Sequence, residues 1–501
     1  MIALSAAVEF HARVSPDRLA LVYGRERVSY AALLERLRAA AGMLAARGIA
    51  KGDIVAVLMK NSAAFIELAL AASHIGAVLL PINFRLAAEE VGYILEHAGA
   101  KLLFVDEELL ASAGGFAATV SVDAAAQSDS RLLARGTQPA TGGAALTSGD
   151  LYRLMYTSGT TDRPKGVTHT YENYYWKCLD HIVALGLSDA DRLLVIGPLY
   201  HVGAFDLPGL ALLLTGGTLC VLRDFEPAAA LELIQTERIT GAWMAPVMLN
   251  RLLSLPGRER YDLSSLRWTI GGGERTPEER IREFSNLFRH GRYIDAYGLT
   301  ESCSGDTFME AGMEIAKIGS TGRATPHVDL QICDDIGGVL PAGESGEICL
   351  RGPKITKGYW RDPKKTAASF FGDWFRTGDI GHLDQDGFLF LTDRKKDMII
   401  SGGENIASSE VERVIYRLPQ VSEAAVVGLP DAQWGERVVA VVVLQAGAQL
   451  TPEELQRYCR EHLAGFKVPR QLVMRESLPR NPSGKILKRV LRDELAAKDK
   501  A

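Results

Sequence analysis

Segments of helical and of extended periodicity alternate along the first half of the chain. Apolar residues recur at helical spacing in residues 29–48 and 61–76, and Asn61-Ser62 offers an N-terminal cap for the second helix. Short apolar runs typical of buried strands lie between and after these helices, at residues 54–59, 77–80, 101–105, 192–196, 218–222, 242–244 and 268–270. This alternation predicts an α/β fold with largely parallel sheets.

Length and a change of composition predict more than one domain. The chain has 501 residues, well above the size of an average domain. After about residue 320, short strand patterns punctuated by glycine follow, and then a charged cluster at residues 393–397. We place the boundary in this cluster, which predicts an N-terminal domain of residues 1–394 and a C-terminal domain of residues 395–501.

The C-terminal part has a mixed pattern of its own on a smaller scale. Ser409 and Glu412 have the spacing of a helix capping box, as do Thr451 and Glu454. Residues 438–444 have the composition of a strand. We therefore expect a small α+β domain.

Charge and cysteine usage exclude several classes of protein. The net charge of -5 provides no basic field for nucleic acid or for an anionic membrane. The 6 cysteines form no Cys-x-x-Cys pair and no zinc-type cluster, so free thiols in a reducing compartment are expected. Because the sequence also lacks a signal-peptide pattern and a long apolar run, we expect a cytoplasmic protein without a transmembrane segment.

Residues 156–166, Tyr-Thr-Ser-Gly-Thr-Thr-Asp-Arg-Pro-Lys-Gly, are the most informative stretch for function. Small hydroxyl residues and glycine let backbone N–H groups converge on a phosphate, and the lysine adds a positive charge. The spacing matches neither the Walker loop nor the dinucleotide-binding fingerprint. A phosphate-binding loop on another scaffold is the favoured interpretation, and an ordinary polar surface loop is the alternative.

Two motifs at the ends of predicted strands could serve a nucleotide held by this loop. In the segment from Tyr297 to Glu301, a threonine hydroxyl could contact phosphate and a carboxylate could hold Mg²⁺, although a helix cap is the alternative. In the segment from Gly271 to Glu274, consecutive glycines permit close approach of a flat ring such as adenine, and a tight turn is the alternative.

Three isolated residues have side chains suited to the same chemistry. Asp379 follows Thr-Gly and could accept both hydroxyls of a ribose, although a solvated turn aspartate is commoner. Lys485 lies on a glycine turn before a basic helix and could reach a phosphate or carboxylate oxygen, although most lysines are surface residues. His201 follows an apolar strand, where a structural histidine is the alternative to a catalytic one.

In this order, the motifs together resemble those of the adenylate-forming superfamily, which includes acyl-CoA synthetases, firefly luciferases and the adenylation domains of peptide synthetases. The resemblance extends nearly from end to end. Within this superfamily, the sequence most resembles bacterial fatty-acyl-CoA synthetases and related acyl or aryl acid–CoA ligases. Three segments carry that nearer likeness, namely residues 299–303, 398–405 and 431–435.

The resemblance implies a two-step reaction and a particular architecture. A carboxylate attacks the α-phosphate of Mg-ATP, giving an acyl-adenylate and pyrophosphate, and the thiol of coenzyme A then displaces AMP. The implied fold has a large N-terminal domain of stacked mixed and parallel sheets with helices, a small β subdomain, and a mobile C-terminal domain. That domain would turn about a hinge residue corresponding to Lys396. The resemblance to the family is also the sole basis for expecting a homodimer.

The resemblance also implies roles for individual residues. Thr300 would contact phosphate and Glu301 would hold Mg²⁺, while His201 would line the acyl pocket and place the substrate carboxylate. Lys485 would bridge that carboxylate and the α-phosphate. The other residues implied in ATP binding are Thr157, Ser158, Gly159, Thr160, Thr161 and Lys165 at the phosphates, Gly272, Gly273, Glu274 and Tyr297 at adenine and the acyl pocket, and Asp379 with Arg394 at the ribose. The residues implied in coenzyme A binding are Gly402, Gly403, Trp434 and Phe466.

One position departs from the family pattern. Asp162 stands in the phosphate loop where relatives usually have glycine. A solvated carboxylate beside the triphosphate would repel it by something on the order of 1 kcal/mol. Either Asp162 faces solvent and pairs with Arg163, or the loop binds ATP less tightly.

Of these functional features, the identity of the acid substrate is the one that the sequence constrains least. Residues 201–206, 243–248 and 270–274 would line the acyl pocket, and their apolar and aromatic side chains favour a hydrophobic acid. A medium- or long-chain fatty acid is the first candidate, and an aryl acid such as a benzoate or cinnamate is the second. Further alternatives are an enzyme that loads a carrier-protein thiol and a nucleotide-binding regulator without activity.

Overall fold

The structure is a computed structural model, and it describes residues 2–123, 138–157, 164–203, 205–272, 276, 278–394, 397–402, 404–431, 433–480 and 486–499. The chain divides into two compact units. The first comprises Met1–Asp329 and Arg351–Phe375, and the second comprises Leu330–Leu350 and Arg376–Ala501. The boundary expected between residues 394 and 395 stays a prediction.

The elements confirm the mixed α/β class. The helices of the described residues are α1 (Ser5–Val14), α2 (Tyr30–Ala46), α3 (Ala63–His74), α4 (Ala88–Ala98), α5 (Tyr171–Leu185), α6 (Ala211–Thr215), α7 (Pro227–Glu237), α8 (Pro246–Leu253), α9 (Glu278–Leu287), α10 (Pro363–Ala368), α11 (Ser408–Ile415), α12 (Pro452–His462) and α13 (Lys488–Asp499). Their strands are β1 (Leu19–Tyr23), β2 (Glu26–Ser29), β3 (Ile54–Leu58), β4 (Val78–Pro81), β5 (Ala100–Asp106), β6 (Thr119–Val122), β7 (Leu151–Thr157), β8 (Lys165–Thr170), β9 (Arg192–Val195), β10 (Thr218–Val221), β11 (Gly241–Met244), β12 (Trp268–Gly271), β13 (Arg292–Tyr297), β14 (Thr307–Phe308), β15 (Arg323–Ala324), β16 (Asp329–Cys333), β17 (Gly346–Arg351), β18 (Phe370–Phe371), β19 (Trp374–Leu383), β20 (Leu389–Arg394), β21 (Ile399–Ser401), β22 (Glu404–Ile406), β23 (Val421–Asp431), β24 (Gly435–Leu444) and β25 (Gln471–Met474).

Nine of these strands form the largest sheet of the first unit, in the order β15-β14-β13-β12-β11-β9-β10-β1-β2. From β13 to β1, neighbouring strands run parallel. Parallel strands are covered on both faces and need apolar residues on both, and every residue of β10 and β11 is buried. Because the strands are parallel, the segments that follow β9, β11, β12 and β13 all leave the same edge of the sheet.

Two glycines in this sheet are required by aromatic side chains on the next strand. A Cβ atom on Gly271 would lie 1.7 Å from the hydroxyl of Tyr293, and one on Gly241 would lie 2.2 Å from the ring of Trp268. The Tyr293 hydroxyl is fixed in turn by a hydrogen bond of 2.5 Å to Thr276. The close ring at Gly271 therefore belongs to the protein, and the approach of adenine to Gly272 and Gly273 stays a prediction.

A second sheet of the first unit has the order β6-β5-β3-β4-β7-β8. Helix α3 precedes β4, and its cap is the one predicted, because Ser62 Oγ accepts a hydrogen bond of 3.2 Å from Phe65 N. Strands β7 and β8 form an antiparallel hairpin in which Thr157 lies opposite Lys165. These two predicted phosphate-binding residues thus flank the segment that connects the two strands of the hairpin.

The second unit contains a sheet in the order β22-β21-β24-β23, with β25 paired to β24. The predicted cap of α12 is confirmed, because Thr451 Oγ1 accepts from Glu454 N at 3.2 Å while Glu454 Oε2 accepts from Thr451 N at 2.9 Å. The cap predicted from Ser409 and Glu412 is wrong. Glu412 instead accepts a hydrogen bond from Val426 N at 2.7 Å and pairs with Lys488 at 2.7 Å.

The cysteines are buried free thiols, as their spacing predicted. Over the described ranges, no helix combines the length and the apolar character that a membrane span requires.

The packing of Gly271 against Tyr293 gives a prediction about stability. We expect Gly271→Ala to lower the free energy of unfolding by about 1–3 kcal/mol, because the methyl group overlaps the tyrosine and forces the strands apart. The matched control is Gly92→Ala within α4, where a Cβ meets open space, and it should stabilise the chain by about 0.5–1 kcal/mol. Urea unfolding followed by circular dichroism measures both variants. Equal effects of the two substitutions would contradict the packing argument.

Candidate functional site

The predicted site residues of the first unit follow the strands that share one sheet edge. His201 lies beyond the end of β9, Gly272 directly follows β12, and Tyr297 is the last residue of β13. The next turn of chain, Thr300–Ser302, is a short 3₁₀ helix that presents Thr300 and Glu301. The parallel sheet therefore gathers motifs that are separated by about a hundred residues in sequence.

Glu301 is held through both its backbone and its carboxylate. The Thr356 amide donates a hydrogen bond of 2.7 Å to the carbonyl of Glu301, and the Tyr359 hydroxyl donates one of 2.8 Å to its carboxylate oxygen Oε1. Burial and the adjacent carboxylate raise the pKa of Tyr359, so its hydroxyl stays protonated and remains a donor. Sequence reasoning missed Thr356 and Tyr359, which follow β17 far along the chain.

The β7–β8 hairpin is fastened to the same motif. His169, on β8, contacts the carbonyl oxygen of Thr300 through Nε2 at 2.7 Å. The neighbouring Thr168 donates from Oγ1 to the carbonyl of Gly358 at 2.8 Å, and Thr356 Oγ1 donates back to the carbonyl of Thr168 at 2.7 Å. The strand that leads out of the predicted phosphate loop is thus joined to both sides of the Thr300–Glu301 turn.

A buried charged cluster lies behind the turn. Arg153 on β7 donates to Asp206 Oδ2 at 2.6 Å, Lys177 on α5 reaches Asp206 Oδ1 at 3.1 Å, and Arg153 also contacts His169 Nδ1 at 3.1 Å. Burial alone would raise the pKa of Asp206, but the two cations outweigh it and hold that pKa well below its usual range. The sequence signal for this cluster was an arginine inside an otherwise apolar strand.

His201 lies against an aromatic wall. Its Nδ1 accepts a hydrogen bond of 3.1 Å from the amide of Gly203, so the neutral ring carries its proton on Nε2. Trp243, at the end of β11, packs so closely on Gly203 that a Cβ there would lie 2.5 Å from the indole. The imidazole and indole centroids are 6.4 Å apart with a tilt of 32°. The structure therefore brings together two of the segments predicted to line the acyl pocket.

The donor set at Glu301 fits a magnesium ion shared with a nucleotide. Among the residues that the structure describes, there is no group of three or more His, Cys, Asp or Glu side chains that could hold a metal ion by themselves. Mg²⁺ is commonly held by one or two carboxylates together with substrate phosphates and water. A single anchored carboxylate is suited to that mode of binding.

Asp379 lies in the second unit, within β19. The preceding Gly378 has a φ of 72°, and its amide donates 3.1 Å to Glu347 Oε1. Arg376 donates to the other oxygen of Glu347 at 2.8 Å. Asp379 stands directly across β19 and β20 from Arg394, the residue expected beside it at the ribose. The carboxylate of Glu347 thus holds the segment of β19 that directly precedes Asp379.

Two of the residues expected to bind coenzyme A are in contact. Gly402 has a φ of 62°, donates a 2.7 Å hydrogen bond from its amide to the carbonyl of Trp434, and lies against the Trp434 ring. The guanidinium of Arg470, which sequence reasoning missed, lies over that ring at 4.3 Å from its centroid. Phe466 is 40% exposed, an exposed aromatic surface four residues before Arg470.

Several predicted residues lie outside the described part of the chain, as does the side chain of Arg394. They are Ser158, Gly159, Thr160, Thr161, Asp162, Arg163, Gly273, Glu274, Lys396, Gly403 and Lys485.

Comparison with known families identifies two matching domains. The model of the AMP-binding enzyme family matches residues 8–360, and that of the AMP-binding enzyme C-terminal domain matches residues 410–485.

Curated and solved proteins give the same result over nearly the whole chain. Feruloyl-CoA synthase from Amycolatopsis sp is 38% identical over 477 residues, which cover 95% of this chain and 96% of the relative. A long-chain-fatty-acid–CoA ligase from Mycobacterium tuberculosis is 38% identical over 482 residues, 94% of each protein. The structure of o-succinylbenzoate CoA synthetase from Bacillus subtilis with its acyl-adenylate intermediate has a TM-score of 0.88, with 32% identity over 97% of this chain and 98% of that one. The same synthetase has been solved with ATP and magnesium ion.

The buried cluster gives a prediction about pH. Burial and the charge of Arg153 lower the pKa of His169 to about 3, whereas an unfolded histidine has a pKa of about 6.5. Between these pH values the unfolded chain binds a proton that the folded chain does not, so stability falls with falling pH by up to about 1.4 kcal/mol per unit. In His169→Gln this contribution is absent, and its free energy of unfolding should fall less steeply between pH 6.5 and pH 4. Parallel profiles of the variant and the wild type would contradict the prediction.

Proposed function

The chain belongs to the AMP-binding enzyme family of adenylate-forming acid–CoA ligases, and we propose that it activates a hydrophobic carboxylic acid. The family membership gives the enzyme class, an AMP-forming ligase whose substrates are an acid, ATP and coenzyme A and which uses Mg²⁺. The observation that carries the proposed residue roles is the convergence on Glu301. The β7–β8 hairpin, the turn after β13 and Tyr359 all meet there.

The first step requires an anionic acid to approach an anionic nucleotide. A carboxylate is already a nucleophile, so the barrier is the charge repulsion between the two anions. Positioned cations lower this barrier. In the proposal, Thr157 and Lys165 flank the triphosphate and Thr300 contacts it. Mg²⁺ held by Glu301 neutralises phosphate charge when bound. Lys485 draws the acid and the α-phosphate together, and Asp379 receives the ribose hydroxyls.

The second step requires a site for coenzyme A on the smaller domain. We propose that it lies at Gly402, Trp434 and Phe466, where aromatic surface and a glycine backbone are available. Family analogy supports a turn of residues 395–501 about Lys396 between the two steps. This rotation would remove Lys485 from the active centre after the first step and bring the coenzyme A-binding residues there for the second.

Two acids are candidates for the substrate. A medium- or long-chain fatty acid is supported by the apolar composition of residues 201–206 and 243–248. An aryl acid is supported by a specific observation, the flat indole of Trp243 packed against Gly203 beside His201. A planar wall next to the imidazole suits stacking of an aromatic acyl group.

A pyrophosphate-release assay over acids of matched size tests the proposal. The panel would pair decanoate with ferulate and octanoate with cinnamate, with malonate as the polar control, each measured with and without coenzyme A. We expect release with at least one hydrophobic acid and a thioester only when coenzyme A is present. The preferred member of each pair decides between the fatty and the aryl candidate. Activity with malonate alone would overturn the proposed acid class.

Lys485 should separate the two half-reactions. We expect Lys485→Ala to reduce adenylate formation by a factor of about 10² or more, as for the loss of one preorganised charge donor, and to leave thioester formation from preformed adenylate nearly unchanged. Lys498→Ala, in α13, is the matched control and should leave both rates unchanged. Single-turnover assays of each half-reaction provide the rates. Equal loss of both in Lys485→Ala would refute the proposed division of roles.

A further inference from the structure

A continuous chain of buried polar contacts leads from the predicted acyl segment to the Thr300–Glu301 turn. Asp206 lies five residues beyond His201 and is fully buried, as is the Arg153 side chain that donates to it at 2.6 Å. Arg153 then reaches His169, and His169 reaches the carbonyl oxygen of Thr300 at 2.7 Å. Each member belongs to a different segment of the first unit.

The hydrogen-bond directions along this chain are fixed by chemistry. The Arg153 Nε–H and one terminal N–H of its guanidinium lie 3.1 and 3.0 Å from His169 Nδ1, and a guanidinium can only donate. His169 Nδ1 is therefore an acceptor, and the neutral ring carries its proton on Nε2. That N–H points at Thr300, so the carbonyl receives one directed hydrogen bond whose direction is set from Arg153.

The charges are costly in this position, which argues for a role in geometry. Asp206 compensates Arg153 and Lys177 together, so the cluster has one more cation than anions. Buried ion pairs are commonly no more stabilising than well-packed apolar side chains of similar volume. What an apolar core cannot do is orient a donor toward a chosen carbonyl oxygen.

We propose that Arg153 and His169, anchored by Asp206, are positioning residues for adenylate formation. They hold the Thr300 carbonyl, and with it the Thr300 hydroxyl and the Glu301 carboxylate, in the place that a magnesium-bound triphosphate requires. Neither side chain contacts substrate, and both act through Thr300. This inference rests on the proposed function of Thr300 and Glu301.

A double-mutant cycle tests this arrangement. Arg153→Met leaves Asp206 paired with Lys177, and His169→Leu removes both ring nitrogens at similar volume. We expect each single variant to lower kcat/KM for Mg-ATP at least tenfold while KM for the acid changes less than twofold. The double variant should be no worse than the poorer single variant, because Arg153 acts through His169. Effects that multiply in the double variant would overturn the proposal.

A conservative variant and a matched control separate positioning from stability. His169→Gln can still place an amide donor near the Thr300 carbonyl, so it should retain more Mg-ATP efficiency than His169→Leu. Arg36→Met removes another buried arginine, which pairs with Glu67 at 3.0 Å between α2 and α3. It should lower Tm and leave kcat/KM for Mg-ATP within twofold. A lower Tm with unchanged kinetics in Arg153→Met and His169→Leu would assign them a structural role only.

Calorimetric titration of Mg-ATP distinguishes this inference from the proposed function. If the wild type activates no acid, the proposed function fails, but the Kd for Mg-ATP of wild type and His169→Leu can still be compared. At least a tenfold weaker Kd in the variant supports the positioning role. Equal values of Kd, together with equal kcat where activity is found, overturn it.

Discussion

The parallel pairing of β9, β11, β12 and β13 is the constraint on which the site depends. Parallel strands in register end at one edge, and so His201, Gly272 and Tyr297 leave the sheet side by side although they are far apart in sequence. The pairing itself depends on glycines at two positions, because the rings of Trp268 and Tyr293 occupy the space that a Cβ would need. The glycines that permit these strands to pair thereby also determine where the site residues lie.

The Thr300–Glu301 turn is held by hydrogen bonds to both of its carbonyl groups and to its carboxylate, which restrict its motion before any substrate arrives. Thr356 and His169 hold the two carbonyl groups of the Thr300–Glu301 turn, and Tyr359 holds the carboxylate. Preorganised polar groups lower a barrier more effectively than groups that must reorient during the reaction. In a reaction whose barrier is the repulsion between two anions, this rigidity is the contribution that the fold itself can make.

The parts predictable from sequence were those governed by near neighbours along the chain. Thr451 and Glu454 cap their helix because they are three positions apart and each accepts a hydrogen bond from the backbone amide of the other. Ser409 and Glu412 have the same spacing, but the Glu412 carboxylate pairs with Lys488 and accepts a hydrogen bond from the Val426 amide instead. Neither partner is near Glu412 in sequence. The motifs themselves were recognisable in the same way, and the roles of their residues stay predictions. The support given by Tyr359 or Arg153 depends on tertiary packing that no local pattern encodes.

The residues that follow this turn are held by another buried cation, Lys354, so directed support from buried charges recurs in this region. After the turn, Cys303 and Ser304 have φ values of 59° and 67°, a conformation that costs non-glycine residues on the order of 1–3 kcal/mol each. Lys354 donates to the carbonyls of Ser304 at 3.0 Å and Gly305 at 2.6 Å, and pairs with Asp306 at 2.8 Å. Apolar packing could fill this volume but could not satisfy carbonyl groups that the left-handed backbone turns inward. The buried charges and the strained loop therefore depend on each other. The loop directs carbonyl acceptors into the interior, and Lys354 offsets the cost of burying them by donating hydrogen bonds to them.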